Sequence, residues 1–349
     1  MVIRIDKKYI SPVVAGLFML LFLAVVLRFG VRAEGDESKN YIKWAELNVS
    51  LNALEETAAL DIETYGRLYH ISMVDTLSYL AVKNGNNFST YKSSDIEKMK
   101  EKLGDTYTVD ELMDGNKYYA FYKEVFTAAL GGLLGEYEKE APDRKGGKII
   151  KKDYGLIAYS PIAEGFSYSH YDDFGNSRTY GYRRSHLGND LMGYVGTPVV
   201  AVEGGVVECY GWNNYGGWRL GIRSFDGKRS YYYAHLRKDR PYAEGIKEGS
   251  LVKAGQVIGY MGMTGYSTKE NVNGMNVPHL HFGMQLIFDE SQKEGENQIW
   301  LDMYAFVKFL SRNKATVLKD EETKEYKRVY DIISYNYPKE LRKFVTQPS

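Results

Sequence analysis

Cysteine and net charge are both scarce in this chain of 349 residues. The single cysteine, Cys209, excludes an intramolecular disulfide, and its place after Val206 and Val207 favours a buried strand over a redox role. Lysine and arginine together number 45, as do aspartate and glutamate, so the formal net charge is zero. A neutral chain argues against a strongly basic nucleic-acid-binding protein, and we expect no nucleic-acid partner.

Histidine is also scarce, yet four of the six histidines fall in three short pieces. These pieces are H-L-G-N-D (186–190), Y-Y-Y-A-H-L (231–236) and H-L-H (279–281). Side chains two residues apart on a strand point to the same face, so His279 and His281 are expected to project together. The same alternation places Tyr231, Tyr233 and His235 on one face. Two imidazoles and one carboxylate, with the fourth position open, are a common ligand set for catalytic zinc.

Six short landmarks follow one another through this part of the chain. They are H-L-G-N-D, G-T-P-V-V-A-V-E-G-G-V-V (196–207), Y-A-H-L, V-K-A-G-Q-V-I-G (252–259), T-G-Y-S (264–267) and H-L-H-F (279–282). Together they resemble the zinc metallopeptidases of the lysostaphin and LytM type, which cut peptide cross-links or stems of bacterial cell walls. The resemblance covers residues 159–288. It implies a Zn²⁺-dependent endopeptidase that hydrolyses peptide bonds of peptidoglycan through a metal-activated water.

The resemblance implies roles for five side chains of this sequence. His186, Asp190 and His281 are the implied Zn²⁺ ligands. His235 and His279 are implied to line the site as catalytic residues. One would help to activate the water, and both could stabilise the oxyanion or protonate the leaving amine. Which histidine does which is left open by the sequence.

Three further side chains are candidate substrate contacts: Arg184, Tyr233 and Ser267. Arg184 stands two residues before His186 and could steady the site or bind a substrate carboxylate, although a solvated arginine fits the sequence equally well. Residues 268–278 depart from the family pattern, which passes from T-G-x-S to H-L-H-F in a few residues. This insertion contains asparagine and glycine, so it predicts a flexible loop that narrows or reshapes the substrate groove.

The N-terminal residues 1–33 predict a membrane segment. A basic start precedes the apolar run 10–27, which as a helix would span about 27 Å, close to the hydrocarbon thickness of a bilayer. We favour an uncleaved single-pass anchor in the cell membrane, with the catalytic domain on the extracellular side. Cleavage after this segment would instead give a secreted protein.

The whole pattern predicts an α+β multidomain protein. Its predicted parts are the membrane segment 1–33, a small helical domain 34–141, a linker 142–157, a mainly antiparallel β metallopeptidase domain 158–312 and a C-terminal helical tail 313–349. Helices are predicted to begin at Ser50, Ser94 and Thr108, to end near Gly85, and to cover 118–137, 303–310 and 326–333. The helical domain is interpreted as a structural spacer, with a degenerate wall-binding module of lysozyme-like ancestry as the alternative.

Two other function classes remain open on the sequence. One is a catalytically silent or autoinhibited cell-surface scaffold of the same fold, which binds wall or recruits another wall hydrolase or cell-surface protein. The other is a pure wall-binding protein. Every expected ligand is present, which favours the enzyme. In an autoinhibited form, the loop before His186 or the insertion 268–278 would supply a fourth ligand and displace the water.

Overall fold

The computed structural model describes residues 41–104, 108–145, 147–295 and 297–344. Two units divide the chain, Met1–Ile42 and Lys43–Ser349, and every element given below belongs to the second. Within the described ranges, no helix is both long enough and apolar enough to cross a membrane. The predicted membrane segment 1–33 lies outside the described residues and stays a prediction.

Six α-helices occur among the described residues: α1 (Leu51–Thr64), α2 (Met73–Asn84), α3 (Ser94–Leu103), α4 (Val109–Leu112), α5 (Lys117–Leu130) and α6 (Tyr304–Leu310). The three predicted helix starts, at Ser50, Ser94 and Thr108, are confirmed. Ser50 and Thr108 each accept a hydrogen bond from the first turn of the helix that follows them. The predicted end of α2 is confirmed as well, since Gly85 adopts the left-handed conformation that commonly closes a helix.

The predicted helix over 118–137 was wrong beyond Leu130. Gly131 and Gly132 follow, and a Cβ added at Gly132 would lie 2.1 Å from the carboxylate of Glu203. The buried guanidinium of Arg229 donates to the carbonyl of Ala128 and so binds the C-terminal end of α5. The close approach of these charged groups ends the helix, and a strand begins at Leu134.

Seventeen strands occur in the same described ranges: β1 (Leu134–Pro142), β2 (Lys148–Leu156), β3 (Ser169–His170), β4 (Ser177–Arg178), β5 (Arg184–Ser185), β6 (Asn189–Met192), β7 (Pro198–Val200), β8 (Gly205–Asn213), β9 (Gly217–Ser224), β10 (Arg229–Ala234), β11 (Leu251–Val252), β12 (Val257–Tyr260), β13 (His279–Leu286), β14 (Ile299–Leu301), β15 (Val317–Lys319), β16 (Tyr326–Arg328) and β17 (Ile332–Ser334). The largest sheet has eight strands in the order β11-β8-β9-β10-β13-β6-β3, with β14 also paired to β13. All strand pairs are antiparallel, which confirms the mainly antiparallel β architecture.

The segment interpreted as a linker, 142–157, is instead mostly strand. β2 pairs with β1 along its full length, from Leu134 opposite Leu156 to Pro142 opposite Lys148. The side chain of Asp143 accepts backbone hydrogen bonds in the turn between them. Most side chains of β2 are exposed, so its sequence lacks the apolar alternation that marks a half-buried strand.

The helix predicted over 303–310 is confirmed by α6, but the helix predicted over 326–333 in the C-terminal tail 313–349 is not present. The segment 326–333 forms β16 and the start of β17 rather than a helix. Ile332 and Ile333 are buried because β17 adds to the edge of β1, and this pairing supplies the apolar contacts that suggested an amphipathic helix.

Strand β13 lies inside the main sheet and positions the histidines. Leu280 and Phe282 are fully buried on one face, while His279 and His281 project from the other, as predicted. On the neighbouring β10, Tyr231 and Tyr233 are fully buried on the core face. The opposite face of these two strands therefore forms the floor of the cleft described next.

Candidate metal centre

Three predicted ligand atoms converge at the edge between β6 and β13. Asp190 and His281 are direct register partners on these strands, and His186 comes from the loop that leads into β6. Nε2 of His186 lies 2.7 Å from Nδ1 of His281 and 3.1 Å from Oδ1 of Asp190. Nδ1 of His281 lies 3.4 Å from the same oxygen. These three side chains form a candidate metal centre.

The donor set fits a divalent metal ion. Zinc bonds of about 2.0–2.1 Å in a tetrahedron place neighbouring ligand atoms about 3.3 Å apart, and the two separations from Oδ1 of Asp190, 3.1 and 3.4 Å, are close to this value. Oδ1 of Asp190 is buried and accepts no hydrogen bond from the described residues, although two imidazole nitrogens are near it. A buried carboxylate oxygen of this kind needs a cation or a donor. Two imidazoles and one carboxylate are a recurrent zinc donor set.

A second layer of polar groups orients the ligands. The Asp173 carboxylate lies 3.2 Å from Nδ1 of His186, and its other oxygen accepts from the backbone N–H of Asp190 at 3.1 Å. The Arg178 guanidinium donates to both Asp173 and Asp190, at 2.7 and 3.0 Å. When Nδ1 of His186 carries the proton and donates it to Asp173, Nε2 keeps its lone pair for a metal.

Gly188 brings the ligand loop close to β13. A Cβ at this position would lie 2.8 Å from the ring of His281 and 2.6 Å from the carbonyl oxygen of Phe282. Only a residue without a side chain allows this approach. The glycine of H-L-G-N-D therefore has a steric reason to stand between two ligands.

His235 and His279 stand beside the ligands, in the places that the resemblance implied. Nδ1 of His279 is 2.9 Å from the carbonyl of Val277, and Nδ1 of His235 is 2.7 Å from the carbonyl of Thr264. A carbonyl can only accept, so Nδ1 carries the proton in both rings and Nε2 is left for the cleft. The two rings lie 4.7 Å apart, and Nε2 of His279 is 3.9 Å from Oδ1 of Asp190.

The prediction that His235 shares a strand face with Tyr231 and Tyr233 was wrong. β10 ends at Ala234, and His235 has a φ of +60°, which breaks the strand alternation. This left-handed conformation turns the imidazole away from the core face of Tyr231 and Tyr233 and into the cleft. Gly265 has a φ of +113° and packs against the imidazole, where a Cβ would come within 3.0 Å of Nδ1.

Burial and charge set the protonation of these groups. Burial, and then the neighbouring His279 and His281, hold the pKa of His235 well below its usual range. Burial also lowers the pKa of His281. Burial opposes ionisation of Asp190 too, but the nearby imidazoles of His186 and His281 outweigh it and hold the pKa of this carboxyl below its usual range. The site thus combines an ionised carboxylate with a neutral His235 at pH 7.

The cleft above the ligands has a volume of about 200 Å³. Its lining includes the five predicted ligand and catalytic residues together with Arg178, Arg184, Tyr215, Tyr232, Tyr266 and Met275. Of the candidate substrate residues, Arg184 therefore faces the cleft. Tyr233 does not, because it is fully buried and its hydroxyl accepts from the backbone N–H of Val202. Ser267 lies outside the lining and bonds locally to the backbone of Lys269.

The insertion 268–278 is fastened to the domain. Oδ1 of Asn271 accepts from the indole N–H of Trp218 at 2.9 Å, and its amide donates to Asp239 at 2.7 Å. The N–H of Met275 donates to the carbonyl of Met263, and this places Met275 at the cleft. The insertion thus contributes to the wall of the cleft. Among the histidine, cysteine, aspartate and glutamate side chains of the described ranges, the group that could hold a metal ion is His186, Asp190 and His281.

Asp173, Arg178, Tyr215 and Tyr266 are site residues that sequence reasoning missed. They lie in polar, tyrosine-rich segments where single charged or aromatic side chains are usually solvated. The hairpin of β4 and β5 could have provided a signal, since it sets Arg178 directly opposite Arg184 beside the first ligand. His170 packs 4.7 Å from the ring of Tyr304, outside the cluster, and burial lowers its pKa to about 4.

The fold and the donor set together define a candidate metallopeptidase centre. Comparison with known families agrees, because residues 184–294 match the model of peptidase family M23. This range contains all five of the predicted ligand and catalytic residues. Residues 184–294 therefore form a domain of peptidase family M23.

Curated relatives match the same part of the chain. The L-Ala–D-Glu endopeptidase of Bacillus subtilis is 43% identical over 132 residues, which are 38% of this chain and 39% of that protein. Lysostaphin of Staphylococcus staphylolyticus is 43% identical over 98 residues, which are 28% of this chain and 18% of that protein. The chain thus spans about two fifths or less of the length of these relatives.

A solved structure resembles a larger part of the chain. The lytM protein of Ruminococcus gnavus ATCC 29149 has a TM-score of 0.52 and 22% identity, and the likeness covers 79% of this chain and 92% of that one. This coverage is greater than residues 158–344 alone could supply. The shared fold therefore includes part of the helical region.

Proposed function

We propose that this protein is a zinc-dependent endopeptidase that hydrolyses peptide bonds of bacterial peptidoglycan. One observation carries the proposal: three ligand atoms, from His186, Asp190 and His281, converge in a cleft beside two imidazoles that are held with Nε2 free. The peptidase relatives support the reaction class. One of them is named as an L-Ala–D-Glu endopeptidase, and the part that it shares with this chain is the part that carries the cleft.

Zinc, when bound, lowers the pKa of a water molecule and polarises a peptide carbonyl. His235 is neutral at pH 7 and accepts a proton at Nε2, while its Nδ1–H stays on the carbonyl of Thr264. His279 is held in the same tautomer by the carbonyl of Val277. Either ring, once protonated at Nε2, donates to the oxyanion or to the leaving amine. The fixed Nδ1 bonds keep both rings in place through the cycle.

The N-terminal segment supports a location for this activity. A single-pass anchor over residues 10–27 would hold the catalytic domain on the outer face of the cell membrane, next to the wall. The substrate and the enzyme would then meet without secretion of the chain. Cleavage of the segment would release the same activity into the medium.

The experiment is a digest of purified peptidoglycans by the full-length protein in detergent. Walls with glycine bridges, direct cross-links and different stem peptides are incubated with and without a chelator, and mass spectrometry identifies the released fragments. We expect chelator-sensitive release, and the fragment masses name the bond. His281→Ala should abolish the release because it removes a ligand from the centre.

His70→Ala is the matched control. His70 pairs with Asp61 in the helical region, outside the cleft, so this variant should release fragments at the wild-type rate. Release from no wall, with one zinc per chain retained by the wild type, would refute the enzyme. That outcome would favour the silent or autoinhibited scaffold.

A further inference from the structure

Arg184 is a cation without an anionic partner at the mouth of the metal cleft. It lies directly opposite Arg178 in the hairpin of β4 and β5, so both side chains leave the same face. Arg178 is neutralised by Asp173 and Asp190. Within the described part of the chain, no carboxylate forms an ion pair with Arg184. The positive charge of Arg184 is therefore available to a ligand in the cleft.

Four tyrosines hold this guanidinium in place. It lies 4.6 Å from the ring centroid of Tyr215, 5.6 Å from that of Tyr266 and 5.7 Å from that of Tyr182. Nη1 donates to the backbone carbonyl of Tyr180 at 2.7 Å. The rings of Tyr180 and Tyr266 stack at 4.6 Å and are nearly parallel. Nη2 donates to the hydroxyl of Tyr266 at 3.5 Å. The guanidinium thus has a fixed orientation, and three of its five N–H groups make no hydrogen bond to the described residues.

Arg184 also lies near the catalytic histidine His235. The ring of Tyr266 lies 5.6 Å from the guanidinium of Arg184 and 6.0 Å from the ring of His235. The guanidinium and the ring of His235 are therefore at most about 12 Å apart. An extended peptide advances about 3.3–3.6 Å per residue, so the two groups are no more than about three residues apart along a bound peptide.

We propose that Arg184 determines specificity by binding a free carboxylate of the substrate, within about three residues of the bond that is cut. A planar guanidinium binds a carboxylate through two parallel hydrogen bonds, which gives both affinity and orientation. The substrate class is then an anionic peptide, such as a stem peptide with a free α-carboxylate on a γ-linked acidic residue. A neutral oligoglycine bridge lacks the group that Arg184 binds. This inference rests on the proposed function for the bond that is cut.

The test compares two muropeptides that differ in one group. One carries the free α-carboxylate of its γ-linked glutamyl residue, and the other carries the carboxamide. Binding to the full-length protein is measured by titration calorimetry in the presence of a chelator, so that neither turnover nor a metal–carboxylate bond contributes. For the wild type, we expect about 10- to 100-fold tighter binding of the carboxylate form, or about 1.4–2.8 kcal/mol, as for a charge-assisted bidentate pair.

Variants assign this preference to the side chain. Arg184→Met should reduce the ratio of the two affinities to about one, and Arg184→Lys should retain part of it because the charge remains without the fork. Arg183→Met removes the same charge from the exposed neighbouring position and should leave the ratio at the wild-type value.

The outcomes separate the two proposals. Equal binding of both peptides by the wild type, or a wild-type ratio in Arg184→Met, would overturn the role of Arg184. Failure to cut either peptide once zinc is restored would bear on the enzymatic function alone. Selective binding without cleavage would keep the carboxylate subsite and refute the endopeptidase.

Discussion

Asp173 shows how a residue outside the ligand set governs the candidate metal centre. One carboxylate oxygen faces Nδ1 of His186, and the other accepts from the backbone N–H of Asp190, so one side chain orients two ligands. Such outer partners fix the tautomer and the direction of a ligating imidazole. The affinity for metal then depends on these hydrogen bonds as well as on the three ligands.

Asp173→Asn should weaken zinc binding by about 10- to 100-fold, the usual cost of a lost outer partner. The amide keeps the shape of the side chain, but it removes the charge that attracts the imidazole N–H and Arg178. Competition with a chromogenic chelator measures the affinity. Asp172→Asn is the control, since this neighbouring side chain is exposed and has the same charge. Equal zinc affinities in the two variants would contradict the role of Asp173.

For single residues, the sequence predicts which side chains can act as ligands better than it predicts the direction in which the backbone turns them. His279 and His281 were placed correctly, because an uninterrupted strand alternates its side chains. His235 reaches the cleft through a positive φ, which strand alternation does not reveal, and Tyr233 was placed in the cleft by the same assumption. Asp173 was missed because a carboxylate in a polar loop is usually solvated.

Among the elements, the insertion 268–278 differs most from its sequence-based prediction. Its asparagines and glycine predict a flexible loop, yet Asn271 makes three hydrogen bonds to Trp218 and Asp239. Asn271 has a φ of +60°, which asparagine adopts more readily than most residues. The side-chain amide thus converts a loop composition into an anchored wall of the cleft.

Asn271→Ala should release the insertion. Three lost hydrogen bonds and the strain of alanine at positive φ cost about 1–3 kcal/mol, so amide exchange across 268–277 should accelerate about 10- to 100-fold. Hydrogen-exchange mass spectrometry measures this rate. Asn276→Ala lies in the same loop with an exposed side chain and should leave exchange unchanged. Similar rates in Asn271→Ala and the wild type would refute the anchoring.

Other elements show which structural features the sequence patterns predict and which they do not. The helix ends at Ser50, Gly85 and Thr108 were predicted because capping is local chemistry. β2 was missed because its charged residues pair across the hairpin, as in the ion pair of Lys152 with Glu138, rather than facing a core. A strand exposed on both faces has the composition of a linker.

For the whole molecule, Arg229 links the helical region to the main sheet. Its side chain is completely buried, pairs with Glu203 and Asp226, and donates to the carbonyl of Ala128 at the end of α5. Removal of one partner from a buried charged network is costly because the other charge stays behind. The helices and the sheet are therefore expected to unfold together in the wild type.

Arg229→Met should lower the free energy of unfolding by about 3–5 kcal/mol and separate the two regions. Urea unfolding is followed by circular dichroism at 222 nm, about where helices dominate the signal. It is also followed by tryptophan fluorescence, since three of the four tryptophans, Trp212, Trp218 and Trp300, lie in the sheet region. We expect coincident transitions in the wild type and earlier loss of helix in the variant.

Arg223→Met provides the comparison for that experiment. Arg223 is also buried and paired, but its partners, Glu208 and Glu290, lie within the sheet region. This variant should be destabilised while its two transitions stay coincident. Coincident transitions in Arg229→Met as well would contradict the link through Arg229.

The register of β6 against β13 has a consequence for how the sheet is assembled. Asp190 and His281 are opposite each other only in the native pairing, and a slip of one residue would turn one of them to the other face. A metal ion held by both would therefore stabilise the native register of these two strands. Its binding free energy would stabilise the sheet with the native register, and a sheet with a shifted register would not gain it.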